Sequence, residues 1–274
     1  MIIRRLLIAN RGEIAVRIIR TCRRLGIETV LAVSDADTRS LPARLADASA
    51  RIGPPPPAAS YLDVDAVVSA AVAAGVDAVH PGYGFLAENP ALARACTQAG
   101  IVFVGPTAEH LASVGDKLAA RAHATAAGLP VVPGGQVGDA AAARDLAAEI
   151  GYPVLVKAVG GGGGRGMKPV HDPDRLAETV DLAMSEARAA FGDPRVYLER
   201  FVACGRHVEV QLLGDGASII HLGTRDCSVQ RRYQKLVEEA PAPALDDALR
   251  RTASMSCIGS STTKRLIPLR TSRS

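Results

Sequence analysis

Short apolar runs alternate with helical patterns along the first hundred residues. Leu6 to Ala9, Thr29 to Val33, Ala78 to His80 and Ile101 to Val104 read as strands, while Ile14 to Leu25 and Asp65 to Ala74 read as helices. This alternation predicts an α/β fold with a parallel, doubly wound sheet. Pro54 to Ala59 reads as a surface loop, and Pro106 to Ala127 as a helical connector. A second unit follows in a different order: helix Ala140 to Ile150, strand Pro153 to Val159, a glycine run, helix Pro173 to Ala190 and strand Val196 to Phe201. An α+β module of roughly seventy residues is small for an independent core, so it leans on neighbours, and a mobile lid is one solution.

Two strongly alternating runs, His207 to Leu213 and Ser218 to Leu222, flank the turn Gly214-Asp-Gly216 and predict a hairpin that opens an antiparallel sheet. Past Asp247 the pattern collapses. Residues 252–274 hold ten Ser or Thr and four Lys or Arg, without apolar periodicity. Two strands do not bury a stable sheet, so the expectation is a lost reading frame or a truncation, with poor solubility from bare strand edges; a disordered tail is the plainer alternative.

Charge changes the picture little. The formal net charge is +4, but Arg250, Arg251, Lys264, Arg265, Arg270 and Arg273 follow Asp247 with no acid, leaving 26 basic and 28 acidic residues before it, a net of −2. With aromatic residues at 3% and no Trp, an aromatic platform for nucleic acid is not expected. The five scattered cysteines, Cys22, Cys96, Cys204, Cys227 and Cys257, form no C-x-x-C pair and suit reduced thiols in a cytoplasmic protein. The start, Met1 to Asn10, is broken by two arginines and too short for a signal or membrane segment, so neither is expected.

Lysine use is more informative, because there are 5 Lys against 27 Arg. Lys157-Ala-Val-Gly-Gly-Gly-Gly-Gly-Arg-Gly166 follows a buried-type strand, and its glycines let backbone N–H groups approach a phosphate. Lys157 adds a charge-assisted hydrogen bond of about 1.5–3 kcal/mol, whereas a flexible linker would have no use for it. The loop is neither a Walker A motif nor a dinucleotide-binding G-x-G-x-x-G. Lys117, in Gly115-Asp-Lys117, would alone be a solvated helix charge. The turn-rich stretch Asp226 to Pro241 suits a small oxyanion beside a nucleotide, and equally a salt-bridged surface loop. His80-Pro-Gly-Tyr-Gly-Phe-Leu-Ala-Glu-Asn89 sits at a strand end where α/β sheets hold ligands, though its glycines serve a tight turn equally well.

From about Ile3 to Pro243 the chain resembles the biotin carboxylase family, the ATP-grasp component of acetyl-, propionyl- and methylcrotonyl-CoA carboxylases and of pyruvate carboxylase. The strings that carry the resemblance are Ile8 to Ile14, His80 to Asn89, Gly115 to Lys117, Lys157 to Met167, Arg206 to Glu209, Arg225 to Cys227 and Gln230 to Pro243. The resemblance implies a Rossmann-like pre-ATP-grasp domain over 1–105, a helical connector over 106–128, a lid over 129–202 and the start of the catalytic ATP-grasp domain over 203–247, with an atypical basic tail over 248–274. It implies that Lys117 and Lys157 contact ATP phosphates and that the loop around Gly163 and Gly164 closes over them. Glu199, Arg200, Phe201 and Val202 would form the hinge strand at adenine, and His207 would approach the nucleotide. Gln230 would border the reaction site, and Lys235 would hold bicarbonate. Tyr233 stands where the family usually has a His beside the nucleotide.

The implied reaction uses Mg2+-ATP (or Mn2+) to phosphorylate bicarbonate; the resulting carboxyphosphate yields CO2, which carboxylates biotin on a carrier protein. The implied partners are a biotin carboxyl carrier and a carboxyltransferase subunit, with a homodimer open, and neither nucleic acid nor membrane. The family's metal carboxylates and later arginines belong to an E-x-N-x-R-x-x-V-E-H segment that this sequence lacks, so no metal ligand is expected here. The chain alone is therefore expected not to carboxylate biotin and to bind nucleotide weakly. The rival readings are a carbamoyl-phosphate synthetase-type ligase and a non-catalytic nucleotide-binding or subunit-interaction protein.

Overall fold

A computed structural model describes residues 2–159, 166–214, 218–231 and 234–251. The chain divides into two compact units, residues 1–112 and 113–274.

In the first unit, β1 (Arg5–Ile8), α1 (Gly12–Leu25), β2 (Glu28–Ser34), α2 (Leu41–Leu45), β3 (Ala48–Gly53), α3 (Val64–Ala73), β4 (Ala78–His80), α4 (Pro90–Gln98) and β5 (Val102–Phe103) follow in order. The sheet runs β3-β2-β1-β4-β5, and all its pairings are parallel. Both faces are covered. Leu7, Val30, Ala32 and Val79 pack with Val67 and Leu92 on one side. Leu6, Ile8 and Leu31 pack with Ile18, Ile19 and Cys22 on the other. Apolar residues at consecutive strand positions are what two-sided burial demands. Gly26 ends α1 in the left-handed region, φ 69°, where its N–H reaches the carbonyls of Cys22 and Arg23. The predicted strands and helices recur within one or two residues, but β3, α2 and α4 were not among them.

At the carboxyl end of β1, buried Asn10 donates from Nδ2 to the carbonyls of Pro81 (2.8 Å) and Tyr83 (2.7 Å). A Cβ on Gly82 would stand 2.8 Å from that nitrogen, and Gly82 has φ 64°. The glycines of the His80 to Asn89 string thus serve a turn clamped by Asn10.

The second unit opens differently from the single connector expected. α5 (Ala108–Gly115), which starts in the first unit, and α6 (Lys117–Ala126) are separate helices. Asp116 Oδ1 accepts from Leu118 and Ala119 N–H and starts the second helix as its N-cap.

Next come β6 (Gly134–Val137), α7 (Ala140–Ile150), β7 (Val154–Ala158), β8 (Met167–Val170), α8 (Leu176–Phe191) and β9 (Val196–Arg200). They form an antiparallel sheet in the order β6-β9-β7-β8, two strands more than predicted. Val154, Val156, Val196 and Leu198 point to α7 and α8 and bury with Ala143, Ile150 and Val180. The alternate residues Leu155, Lys157, Tyr197 and Glu199 occupy the opposite face.

The last sheet contains the predicted antiparallel hairpin and adds a third strand. It has three antiparallel strands, β10 (Val208–Gly214), β11 (Ile219–Arg231) and β12 (Gln234–Glu239). The stretch expected to be turn-rich is mostly strand, because backbone pairing carries β11 on to Arg231 and returns it as β12. A helical turn at 247–251 continues past the point where the apolar pattern fails. Among the described residues no helix is long and apolar enough to cross a membrane.

Candidate functional site

Among the described residues, Lys157, Glu199 and Arg200 lie on the four-stranded sheet and Gln230 and Lys235 on the three-stranded one. On the four-stranded sheet, antiparallel register sets Leu155 opposite Glu199 and Lys157 opposite Tyr197. Lys157 and Glu199 are therefore diagonal neighbours on the face away from α7 and α8. Lys157 Nζ lies 2.5 Å from Glu199 Oε1, with the side chains 19% and 18% exposed. Helix α6 adjoins this face: Arg121 stacks over the Tyr197 ring at 5.3 Å, and Asp116 pairs with Arg195 at 3.6 Å. Lys117 is the first residue of α6, at the end that the Asp116 carboxylate caps through the Leu118 and Ala119 N–H groups. The Lys117 side chain lies outside the described part, as do Gly163, Gly164 and Tyr233.

The hinge residues have structural partners. The Arg200 guanidinium donates to the Ile150 carbonyl, at 2.7 Å from Nε. The N–H groups of Arg200 and Phe201 donate to the carbonyls of Pro133 and Pro153, each at 2.9 Å. Phe201 meets the His171 ring edge-on at 6.0 Å, and Val202 is exposed.

On the three-stranded sheet, Glu209 pairs with Arg225 across β10 and β11, and Gln230 with Lys235 across β11 and β12. Buried Glu209 is the hub. One oxygen accepts from Arg225 and the other from Lys235 Nζ, 2.5 Å away. Arg225 also bonds Glu238. His207, two residues before Glu209 and so on the same strand face, shares a hydrogen bond between Nδ1 and Gln230 Nε2 at 2.9 Å. Gln230 Nε2 also donates to the Cys227 carbonyl at 2.7 Å.

The electrostatics follow from this packing. Burial pushes the Glu209 carboxyl up, but hydrogen bonding from Lys235 and the charge of Arg225 outweigh it, leaving the pKa below its ordinary value. Burial and the Lys235 charge lower His207, against the opposing pull of Glu209, Asp226 and Glu238, which favours a neutral imidazole.

Sequence reasoning gave no role to Glu209, Arg225 or Glu238. The spacing of His207 and Glu209, two apart on an alternating strand, was the available signal. Arg225 and Glu238 carry no such signal until the register is known. In the first unit a cleft of about 1330 Å3 follows α1 past Arg17, Arg20 and Arg24, and no predicted site residue lines it.

Residues 2–111 match the family model for the biotin carboxylase N-terminal domain, and residues 116–264 the model for the carbamoyl-phosphate synthase L chain ATP-binding domain. The chain is 50% identical over 258 residues to a biotin carboxylase of Pseudomonas aeruginosa, covering 93% of this chain and 58% of that protein. It is also 50% identical over 251 residues to biotin carboxylase 1 of Bacillus subtilis, covering 90% and 56%. A Campylobacter jejuni biotin carboxylase structure superposes with TM-score 0.91 at 44% identity, covering 95% of this chain and 59% of that one. An α/β unit followed by an ATP-binding domain, with these structural neighbours, defines the ATP-grasp class. Within it, the chain belongs to the biotin carboxylase family. It spans a little over half the length of these relatives.

Proposed function

We propose that these residues form the ATP- and bicarbonate-facing part of a biotin carboxylase, an ATP-dependent carbon–nitrogen ligase. The observation that carries the reading is the Glu209 cluster, in which His207, Gln230 and Lys235 meet around one buried carboxylate. Lys117 and Lys157 neutralise ATP phosphates, with Gly163 and Gly164 closing over them, and Glu199, Arg200, Phe201 and Val202 border adenine. Tyr233 lies beside the nucleotide. Lys235, oriented by Glu209, holds the bicarbonate oxyanion, and Gln230 borders it. Positioning and charge neutralisation are what phosphoryl transfer to bicarbonate requires. One solved relative, the 2-oxoglutarate carboxylase domain of Hydrogenobacter thermophilus, holds MgADP, ADP and bicarbonate, which supports this pairing of ligands.

Magnesium is implied by the family. Glu209, Cys227 and Glu238 bring ligand atoms within 4.8 Å of one another. Arg225 and Lys235 already occupy both Glu209 oxygens, and Arg225 also takes Glu238. The set does not fit a hard divalent ion seeking free oxygen ligands. No step is assigned to a metal here.

The division at 1–105, 106–128, 129–202, 203–247 and 248–274, the cytoplasmic location, and the carrier and carboxyltransferase partners belong to the same reading. These 274 residues lack the E-x-N-x-R-x-x-V-E-H segment, so we assign them the nucleotide cleft and not the carboxylation of biotin. Calorimetry with ATP tests the cleft: the expected result is weak binding, abolished by Lys157→Ala. Binding indifferent to Lys157→Ala overturns the assignment, and bicarbonate-dependent carboxylation of free biotin by the purified chain overturns the restriction.

A further inference from the structure

Lys157 is already engaged. Among the described residues its ammonium has one ion-pair partner, Glu199, at 2.5 Å on a face where each side chain is less than one-fifth exposed. A polyphosphate taking up this ammonium would bring anionic oxygens beside an ionised carboxylate in a poorly solvated setting, where like charges repel strongly. An ammonium offers three donors, but it cannot neutralise both anions fully. Among the described residues no second cation pairs with Glu199: Arg200, next in the strand, is committed to the Ile150 carbonyl, and Arg121 lies over Tyr197.

We infer that Glu199 competes with polyphosphate for Lys157, so that ligand binding is an exchange of the ammonium from carboxylate to phosphate. This rests on the assignment of Lys157 to phosphate. The carboxylate left behind then needs a hydrogen-bond donor, which a bare polyphosphate lacks and an amino-bearing base possesses. Glu199 is thereby a specificity-determining residue: it penalises inorganic polyphosphate more than ATP.

The test is calorimetry of inorganic tripolyphosphate and of ATP with the 274-residue chain, Glu199→Gln, Lys157→Met and the double variant, each checked for an unchanged melting profile. Glu199→Gln keeps the side-chain shape and removes the charge. It is expected to tighten tripolyphosphate about fivefold, the equivalent of a modest ion pair, and to help ATP less. The double variant should lose that gain. Exchange is overturned if Glu199→Gln leaves tripolyphosphate affinity unchanged, if neither form binds it at millimolar concentration, or if the gain persists without Lys157. Should ATP binding depend on Lys157 while Glu199→Gln changes nothing, exchange alone fails; should ATP binding ignore Lys157→Met, the phosphate assignment fails with it.

Discussion

The two antiparallel sheets of the second unit bury opposite kinds of group. The four-stranded sheet is roofed by α7 and α8, and Val154, Val156, Val196 and Leu198 are fully buried beneath them. On the three-stranded sheet Leu222 and Leu236 are 61% and 63% exposed, while Glu209, Thr224 and Cys227 are buried. One sheet is held by apolar packing and carries its charges on the face away from α7 and α8. The other buries Leu212 but leaves Leu222 and Leu236 exposed, and gathers a charge cluster around its buried Glu209. The lesson is that chemistry and support are separable in the first case and the same residues in the second.

The sharpest way to break this contrast is to truncate each interior. Leu198→Ala removes a fully buried side chain from the centre of the four-stranded sheet and is expected to cost about 2–5 kcal/mol, read from urea unfolding. Glu209→Gln should cost about 3 kcal/mol, because it removes the buried charge that the partly buried Arg225 and Lys235 share. If Glu209→Gln proves neutral, the cluster is not what supports the three-stranded sheet.

Acid probes the same difference more gently. Asp226 is held at about 2 by the hydroxyl and N–H of Ser228 and then by Arg206, and Glu209 is also held low. A carboxylate lowered in the folded state contributes stability above its unfolded value, near 3.8 for Asp226, and loses it as pH falls toward the folded one. Between about pH 4 and 2, amide exchange in β10, β11 and β12, corrected for intrinsic rates, should therefore accelerate more than in β7 and β9. Equal acceleration in both sheets would remove the distinction.

Legibility in the sequence follows the same divide. Helix Ala140–Ile150 and strand Ala78–His80 are found over the residues predicted, because their apolar positions face a core. Strand β3 was hidden because Ser49 and Arg51 interrupt its apolar positions. β6 carries two glycines, and β8 is an edge strand that tolerates Pro169. The predicted His207, Gln230 and Lys235 come together, but the buried acid that joins them was missed. Glu209 and Arg225 are 16 residues apart and meet only through the register of β10 on β11. That register depends on β11 running past Leu222 to Asp226, which its mixed charges concealed.

The smallest expected effect is the most discriminating control. Leu236 is 63% exposed on the three-stranded sheet, so Leu236→Ala should move stability by less than about 0.5 kcal/mol. Full burial of a leucine contributes about 1.5–3 kcal/mol, so a loss of that size in urea would show the side chain shielded from water in solution. The three-stranded sheet would then rest on an apolar face as the four-stranded one does, and Glu209→Gln would have to be reinterpreted as damage to the site rather than to the support. A loss near zero, alongside a large one for Glu209→Gln, leaves the charge cluster as the principal buried element of that sheet.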